Sequence, residues 1–333
     1  MVTHSPGIRR NRVLQGAAAA LVVLGLLLWW LLPLGEPAPR GAVTFSTGVK
    51  SGVYQRYGEL LRQDLARGLP DVSVTLRTSQ GSPDNLTRVA TGEADFTIAT
   101  ADAVSNYLME KKPGWQRLRG CARLYDDYVQ LIVAKDSKIH SVADLRGARV
   151  GVGQPESGVR LVADRVLEAA DLDPRTGVRE VFAGIDKMPG KLQRGELDAF
   201  FWSGGLPTSA VEALADRFAV RLVPLDGPLV KQLHAAGPAT TRYYRSAAMP
   251  ADAYPKAPSA QDVPTIAVAN LLVTTDRMDA ALTEGFTRTV IDSRDRIGRE
   301  VHSAQLVDLR TAIYTDPLPL HEGAKRYYQS VKP

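Results

Sequence analysis

The sequence predicts an α/β protein built on parallel sheet, and three observations carry that prediction. Short apolar strand patterns alternate with helical ones in the order β-α-β-α-β, which favours parallel pairing with right-handed crossovers. A second series of the same kind follows the first. The strands of both series run into their helices through loops rich in Gly, Ser and Thr. With 333 residues, 44% hydrophobic and 23% charged, the chain is long enough for one large domain or two lobes, each with its own core.

The elements of the first series follow in order. "AVTFS" reads as a short strand. "VYQRYGELLRQDLARG" puts Val53, Tyr57, Leu60, Leu61 and Leu65 on one helical face, and Gly68 stops it. "DVSVTLRT" alternates, with Val72, Val74 and Leu76 on one side. "GSPDNLTRVATGEAD" reads as a short helix with Ser82 as N-cap, Pro83 in the first turn and Gly92 at the end. "ADFTIATAD" is a buried strand.

The second series begins after "YVQLIVAKDS". "SVADLRG" is a one-turn helix capped by Ser141 and stopped at Gly147, and "ARVGVGQ" is a strand. "SGVRLVADRVLEAADL" is a helix with Val159, Val162, Ala163, Val166 and Leu167 inward. "VREVFA", a broken helical stretch "IDKMPGKLQRGE", and the strand "LDAFFWSG" complete it. A long apolar strand, Val263 to Thr275, follows. Helical patterns run from Met278 to about Arg299 and through "EGAKRYYQS".

The N-terminus carries a different signal. Arg9, Arg10 and Arg12 precede an apolar run from Gly16 to Leu34, broken only by Pro33, with Trp29 and Trp30 near its far end. At about 1.5 Å per residue such a run crosses a bilayer. Arginines in front and none within predict an inside N-terminus and an exported remainder. The segment reads as a signal peptide or an uncleaved anchor. Its length and the lack of an A-x-A site favour the anchor. No cysteine follows it, which excludes a lipoprotein anchor. "EPAPRG" is a linker, and the folded part starts near Ala42.

Composition excludes several function classes. The formal charge is +5, of which residues 1–40 hold +3, leaving +2 for the rest. No basic block with interleaved aromatics points to nucleic acid. The one cysteine, Cys121, allows no intramolecular disulfide, and the five histidines have no metal-ligand spacing. No H-E-x-x-H, G-x-S-x-G or P-loop motif occurs, and "GVGQPESG" is spaced G-x-G-x4-G rather than as a dinucleotide fingerprint. The sequence therefore predicts no enzyme, no cofactor and no metal. Asp95 in "GEADF" and Asp198 in "GELDAF" sit in matching contexts and read as residues that orient a turn.

In open α/β sheets, ligands bind at the carboxyl ends of strands. Here five strand-end loops, "STGVKSGVY", "TSQGSPDN", "TAD", "GQPESGVR" and "WSGGLPT", share small polar residues. Such loops expose N–H groups at the positive ends of helices and suit small anions. Arg160 is placed to add a bidentate carboxylate contact. Lys50 reads either as a ligand contact or as a solvated loop tip.

Taken together, "STGVKSGVY", "GSPDNLTRVATGEADFTIATADA", "LYDDYVQLIVAKDSKIHSVADLRGARVGVGQPESGVR", "GELDAFFWSGGLPTSAV" and "YPKAPSAQDVPTIAVANLLVT" resemble the TAXI family of TRAP-transporter solute receptors, of the type II periplasmic-binding-protein class. The resemblance runs from Ala42 to the C-terminus. It implies two lobes joined by two crossing strands: lobe 1 from 41–133 and 263–333, lobe 2 from 134–262, with 1–40 as anchor and linker. It implies an extracytoplasmic receptor that holds a small carboxylate, glutamate-like or 2-oxoglutarate-like, in the interlobe cleft and docks on a TRAP-type permease. The alternative is a membrane-tethered sensing module reporting to a signalling protein.

Carried onto this chain, the family's contacts fall on Gly48, Ser51, Gly52, Val53 and Tyr54 in the first loop. Ser79, Gly81, Ser82 and Asn85 follow in the second, and Thr100 and Asp102 after the third strand. Ser157, Gly158, Val159 and Arg160 face them, with Trp202, Ser203, Gly204 and Gly205. The first loop departs from the family's more glycine-rich pattern, because Val49, Lys50 and Ser51 replace Gly, Thr and Gly.

Overall fold

The computed structural model describes residues 38–257, 259 and 261–331, together with 15–16, 18–19 and 21–26. The chain divides into two compact units, Met1–Ala38 and Pro39–Pro333. In the first, the described residues among 15–26 are helical and exposed. Among the described residues no helix is long and apolar enough to cross a membrane, and the span expected over Gly16–Leu34 lies largely outside them.

The second unit is organised by one ten-stranded mixed sheet. Strand β1 (Gly41–Ser46) pairs in parallel with β2 (Val72–Arg77) and β3 (Phe96–Thr100). Helix α1 (Val53–Gly68) connects β1 to β2, and α2 (Ser82–Thr91) connects β2 to β3, so the expected β-α-β-α-β order is present. Two long antiparallel strands, β4 (Leu118–Ala134) and β10 (Val263–Thr275), form the spine. Beyond β4 lie β7 (Ala199–Gly204), β5 (Arg149–Gly151) and β6 (Arg179–Val181), the last two parallel to each other. Two short strands, β8 (Val220–Val223) on β4 and β9 (Tyr244–Met249) on β10, complete the sheet.

Period-2 alternation explains how the spine serves several cores. Leu272 of β10 packs with Phe45, Phe96, Phe286 and Tyr327 on one face, whereas Leu271 and Val273 pack with Leu86, Val104 and Tyr107 on the other. Farther along the same strands, Val129, Leu131, Ile266 and Val268 join a third cluster with Phe200, Phe201 and Val162. Helix α3 (Ala101–Met109) belongs to the second of these clusters. Helices α4 (Gly158–Ala169), α5 (Met188–Gln193), α6 (Ser209–Ala215) and α7 (Gly227–Ala236) surround the third. Helices α8 (Ala280–Asp292), α9 (Arg294–Gly298), α10 (Leu309–Ala312) and α11 (Glu322–Val331) close the first.

Most local expectations are met. All five residues expected inward on α4 are buried, and a Ser141–Asp144 capping box starts a short 3-10 turn that ends before Gly147. Two differ. The C-terminal helical pattern breaks at Ser293 into α8 and α9. Gly81, not Ser82, is the N-cap of α2, with φ +136°, a conformation that favours glycine. Ser82 is thereby released from capping.

Asp95 and Asp198 do orient turns, and in the same way. The backbone N–H of Thr44 donates to Asp95 Oδ2 at 2.7 Å, while the N–H of Asp95 donates to the carbonyl of Thr44 at 2.8 Å. The N–H of Arg149 donates to Asp198 Oδ2 at 2.7 Å, and that of Asp198 to the carbonyl of Arg149 at 2.9 Å. Each half of the sheet thus holds its first strand through a carboxylate from the turn before its last parallel strand.

Candidate functional site

Helices α1, α2 and α4 begin around one cavity of about 60 Å³ in the middle of the sheet's carboxyl edges. At each start the residues are small. Gly52 caps α1 and Gly81 caps α2, and neither cap offers a side-chain acceptor, so the first-turn N–H groups lack a side-chain cap. Ser157 caps α4 by accepting the N–H of Arg160 at 3.1 Å. Three helix N-termini therefore bring partial positive charge to one enclosed space. Val53, Val159, Ile185, Met188 and the ring of Trp202 supply apolar wall. Trp202 is fixed by a 3.0 Å bond from its Nε1 to Thr208 Oγ1.

The polar floor lies where the spine strands pass. Tyr54, from the first turn of α1, donates its hydroxyl to Asn270 Oδ1 of β10 and lies 3.3 Å from Ser82 Oγ. Asn270 Nδ2 donates at 2.8 Å to Oδ1 of Asp127 in β4. Asp127 is only 3% exposed, and burial pushes its carboxyl up to about 7 against the pull of the Asn270 bond. Burial and the nearby Asp127 also push the Tyr54 hydroxyl well up, so it stays a donor. Ser203 Oγ and Thr100 Oγ1 line the same space, buried and without a hydrogen-bond partner among the described residues. Unpartnered buried hydroxyls cost free energy unless something fills the cavity.

Of the residues read from the sequence, thirteen line this cavity: Gly48, Gly52, Val53 and Tyr54; Gly81, Ser82 and Thr100; Ser157, Gly158 and Val159; Trp202, Ser203 and Gly204. Seven do not. Arg160 turns away to Glu180 and Asp164 and stacks over Phe182, so its guanidinium is spent on the protein. Lys50 and Ser79 line an adjoining polar recess with Asp84, Arg88 and Asp186, on the other side of Val49, Gln80 and Gln154. Ser51 is exposed at the loop tip. Asn85 is buried behind the wall, bonded to Ser46, Thr47 and Ile98. Asp102 is 1% exposed, and its Oδ2 accepts from the Tyr244 hydroxyl at 2.7 Å. Gly205 packs on Ser303. Sequence reasoning missed Asp127 and Asn270, and also Gln80, Gln154 and the Ala183–Ile185 loop. The first two are mid-strand residues that only the crossing of β4 and β10 brings to the strand ends.

A model of the NMT1-like family matches residues 45–331, which is nearly the whole of the second unit. The chain belongs to the NMT1-like family. Among solved structures, this NMT1-like protein is similar to a putative L-cystine ABC transporter from Listeria monocytogenes, with a TM-score of 0.50 and 14% identity over 80% of this chain and 98% of that one. It is also similar to a protein of Bordetella bronchiseptica RB50, with a TM-score of 0.51 and 17% identity over 88% of this chain and 83% of that one. The fold is a mixed α/β, periplasmic-binding-protein-like one, with Asp127 of the paired spine strands lining the cavity.

Proposed function

We propose that this NMT1-like chain is an extracytoplasmic solute-binding protein of a transport system and acts by binding rather than catalysis. The solute sits in the 60 Å³ cavity with an anionic group at the N-termini of α1, α2 and α4. The observation that carries this is the convergence of those three helix ends on buried hydroxyls that lack partners. The lobes divide where the chain leaves β4 and enters β10, near residues 133 and 263. Solute touching both lobes favours the closed arrangement, because its full contact set exists only there. The likeness to a putative L-cystine ABC transporter supports a transport role. The motif resemblance to TAXI receptors favours a TRAP-type permease as the docking partner.

The test is to identify what the full-length chain carries. Mass spectrometry of solute released by denaturing the purified protein should show one small acid in stoichiometric amount. Restoring that acid to the refolded, emptied chain should raise its thermal unfolding temperature. A chain that carries nothing, and that no amino acid, 2-oxo acid, dicarboxylate or sulfonate stabilises, overturns the reading.

A further inference from the structure

The cavity wall contains no lysine or arginine among the described residues, yet it contains a buried carboxylate. Asp127 Oδ1 is held by Asn270 at 2.8 Å. Its Oδ2 has only the Tyr54 hydroxyl, 3.4 Å away, and that hydroxyl's single hydrogen is already directed at Asn270 Oδ1. No lysine or arginine among the described residues pairs with Asp127. Arg123 and Arg245 pair with the adjacent Asp126 instead. The charged and titratable side chains around it are Tyr54 of α1, Asp102 of α3, and Tyr125 and Asp126 of β4, with no basic group among them. A carboxylate buried this deeply without a cation is costly. Here it faces the space a ligand enters, beside the unpartnered hydroxyls of Ser203 and Thr100.

We propose that Asp127, held by Asn270 and Tyr54, is a cation subsite that receives the ammonium group of the solute. This rests on the reading of the cavity as the solute site. It narrows the ligand to small zwitterions, whose anionic end meets the helix N-termini and whose ammonium end meets Asp127. The ammonium's three N–H donors match Asp127 Oδ2, Ser203 Oγ and Thr100 Oγ1, each of which has acceptor capacity to spare. Asn270 and Tyr54 act as positioning residues that fix the carboxylate plane. Dicarboxylates and 2-oxo acids would instead bring an oxygen to Asp127, which its ionised form repels and only its protonated form can hydrogen-bond.

The experiment titrates the full-length chain with L-amino acids from glycine to phenylalanine, each paired with the same acid lacking the amino group. Calorimetry and thermal unfolding are the readouts. At least one amino acid should bind while its deaminated partner does not, and Asp127→Asn should weaken that amino acid by at least about 30-fold, the loss expected for one partner of a buried charge pair. Should D127N fail to fold, the wild-type selectivity decides. A deaminated acid that binds as well as its amino acid, or a folded D127N that binds within about threefold of wild type, overturns the subsite and leaves the solute reading standing. A wild-type chain that binds none of these, nor any 2-oxo acid, dicarboxylate or sulfonate, overturns both.

Discussion

Gly81 sits directly against Ser157. A side-chain carbon at residue 81 would lie 3.3 Å from the Cα of Ser157 and 3.4 Å from the N of Gly158. The caps of α2 and α4, from the two successive α/β series, thus meet with nothing between them. A side-chain carbon there would press on Ser157, and the conformation of residue 81, φ +136° with ψ −159°, is one that favours glycine.

Gly81→Ala should therefore do two things. It should cost about 1–3 kcal/mol of stability, because this backbone region is essentially reserved for glycine. It should also weaken solute binding, because the added carbon holds the two caps apart. Chemical denaturation and calorimetry on the same sample check both effects. Unchanged affinity would show that the contact does not contribute to closure.

Arg160→Ala should leave solute affinity within about threefold of wild type. Its guanidinium serves Glu180 and Asp164, outside the cavity. The variant should lose about 1–3 kcal/mol of stability, as expected when half-buried carboxylates lose a charged hydrogen-bond partner. Lys50→Ala, in the outer recess, should be nearly silent in both assays. A large affinity loss in either variant would return the anion contact to a side chain.

The empty protein should lose stability as pH rises. Asp127 titrates near 7 in the folded state, against about 4 in an unfolded chain. Below pH 4 both states are protonated and the group contributes no penalty. Between 4 and 7 the unfolded chain releases the proton first, so stability falls by about 1.4 kcal/mol per pH unit and levels off above 7. Tyr54, Asp102, Tyr125 and Asp126 are the titratable groups around it. Asp127→Asn should flatten this slope and be more stable than wild type at pH 8. Denaturation of both proteins at pH 5 and pH 8 tests this, and parallel slopes would contradict it.

Asp95→Asn and Asp198→Asn should each cost about 1 kcal/mol through a weakened strand clasp, with no change in binding. Denaturation midpoints should shift together with unchanged calorimetric titrations.

How far the sequence could be read depends on where each signal resides. Strand β10 is legible as an element, because Val263–Thr275 is mostly apolar and β-branched and lies between Asp262 and Asp276, although the role of Asn270 within it is not. The helix-start loops are legible because small residues before a helical period have one geometric use. The first half of β4 is not. "LRGCARLYDD" mixes arginines and aspartates with apolar residues, since Arg123 and Asp126 pair with each other on the strand's outer side. Asp127 is hidden for the same reason: nothing in the sequence distinguishes it from Asp126 beside it. Arg160 misleads in the opposite sense. In the first turn of α4, it sits close enough to the cavity to suggest a contact, but Glu180 on the neighbouring β6 claims it.

The spine has a consequence for how the chain is made. Asp127 belongs to the first half of the sequence, but its partner Asn270 arrives 143 residues later. Both sides of the sheet depend on that late strand: β3 and β9 pair with it along one edge and β4 along the other. Closing so long a loop is entropically expensive and slows folding. A chain interrupted before residue 263 would keep all three helix starts and still have no floor for its cavity. On the proposed reading, acquisition of a ligand would therefore be tied to completion of synthesis, since the partly made protein would have no finished site before about the last fifth of the chain has emerged.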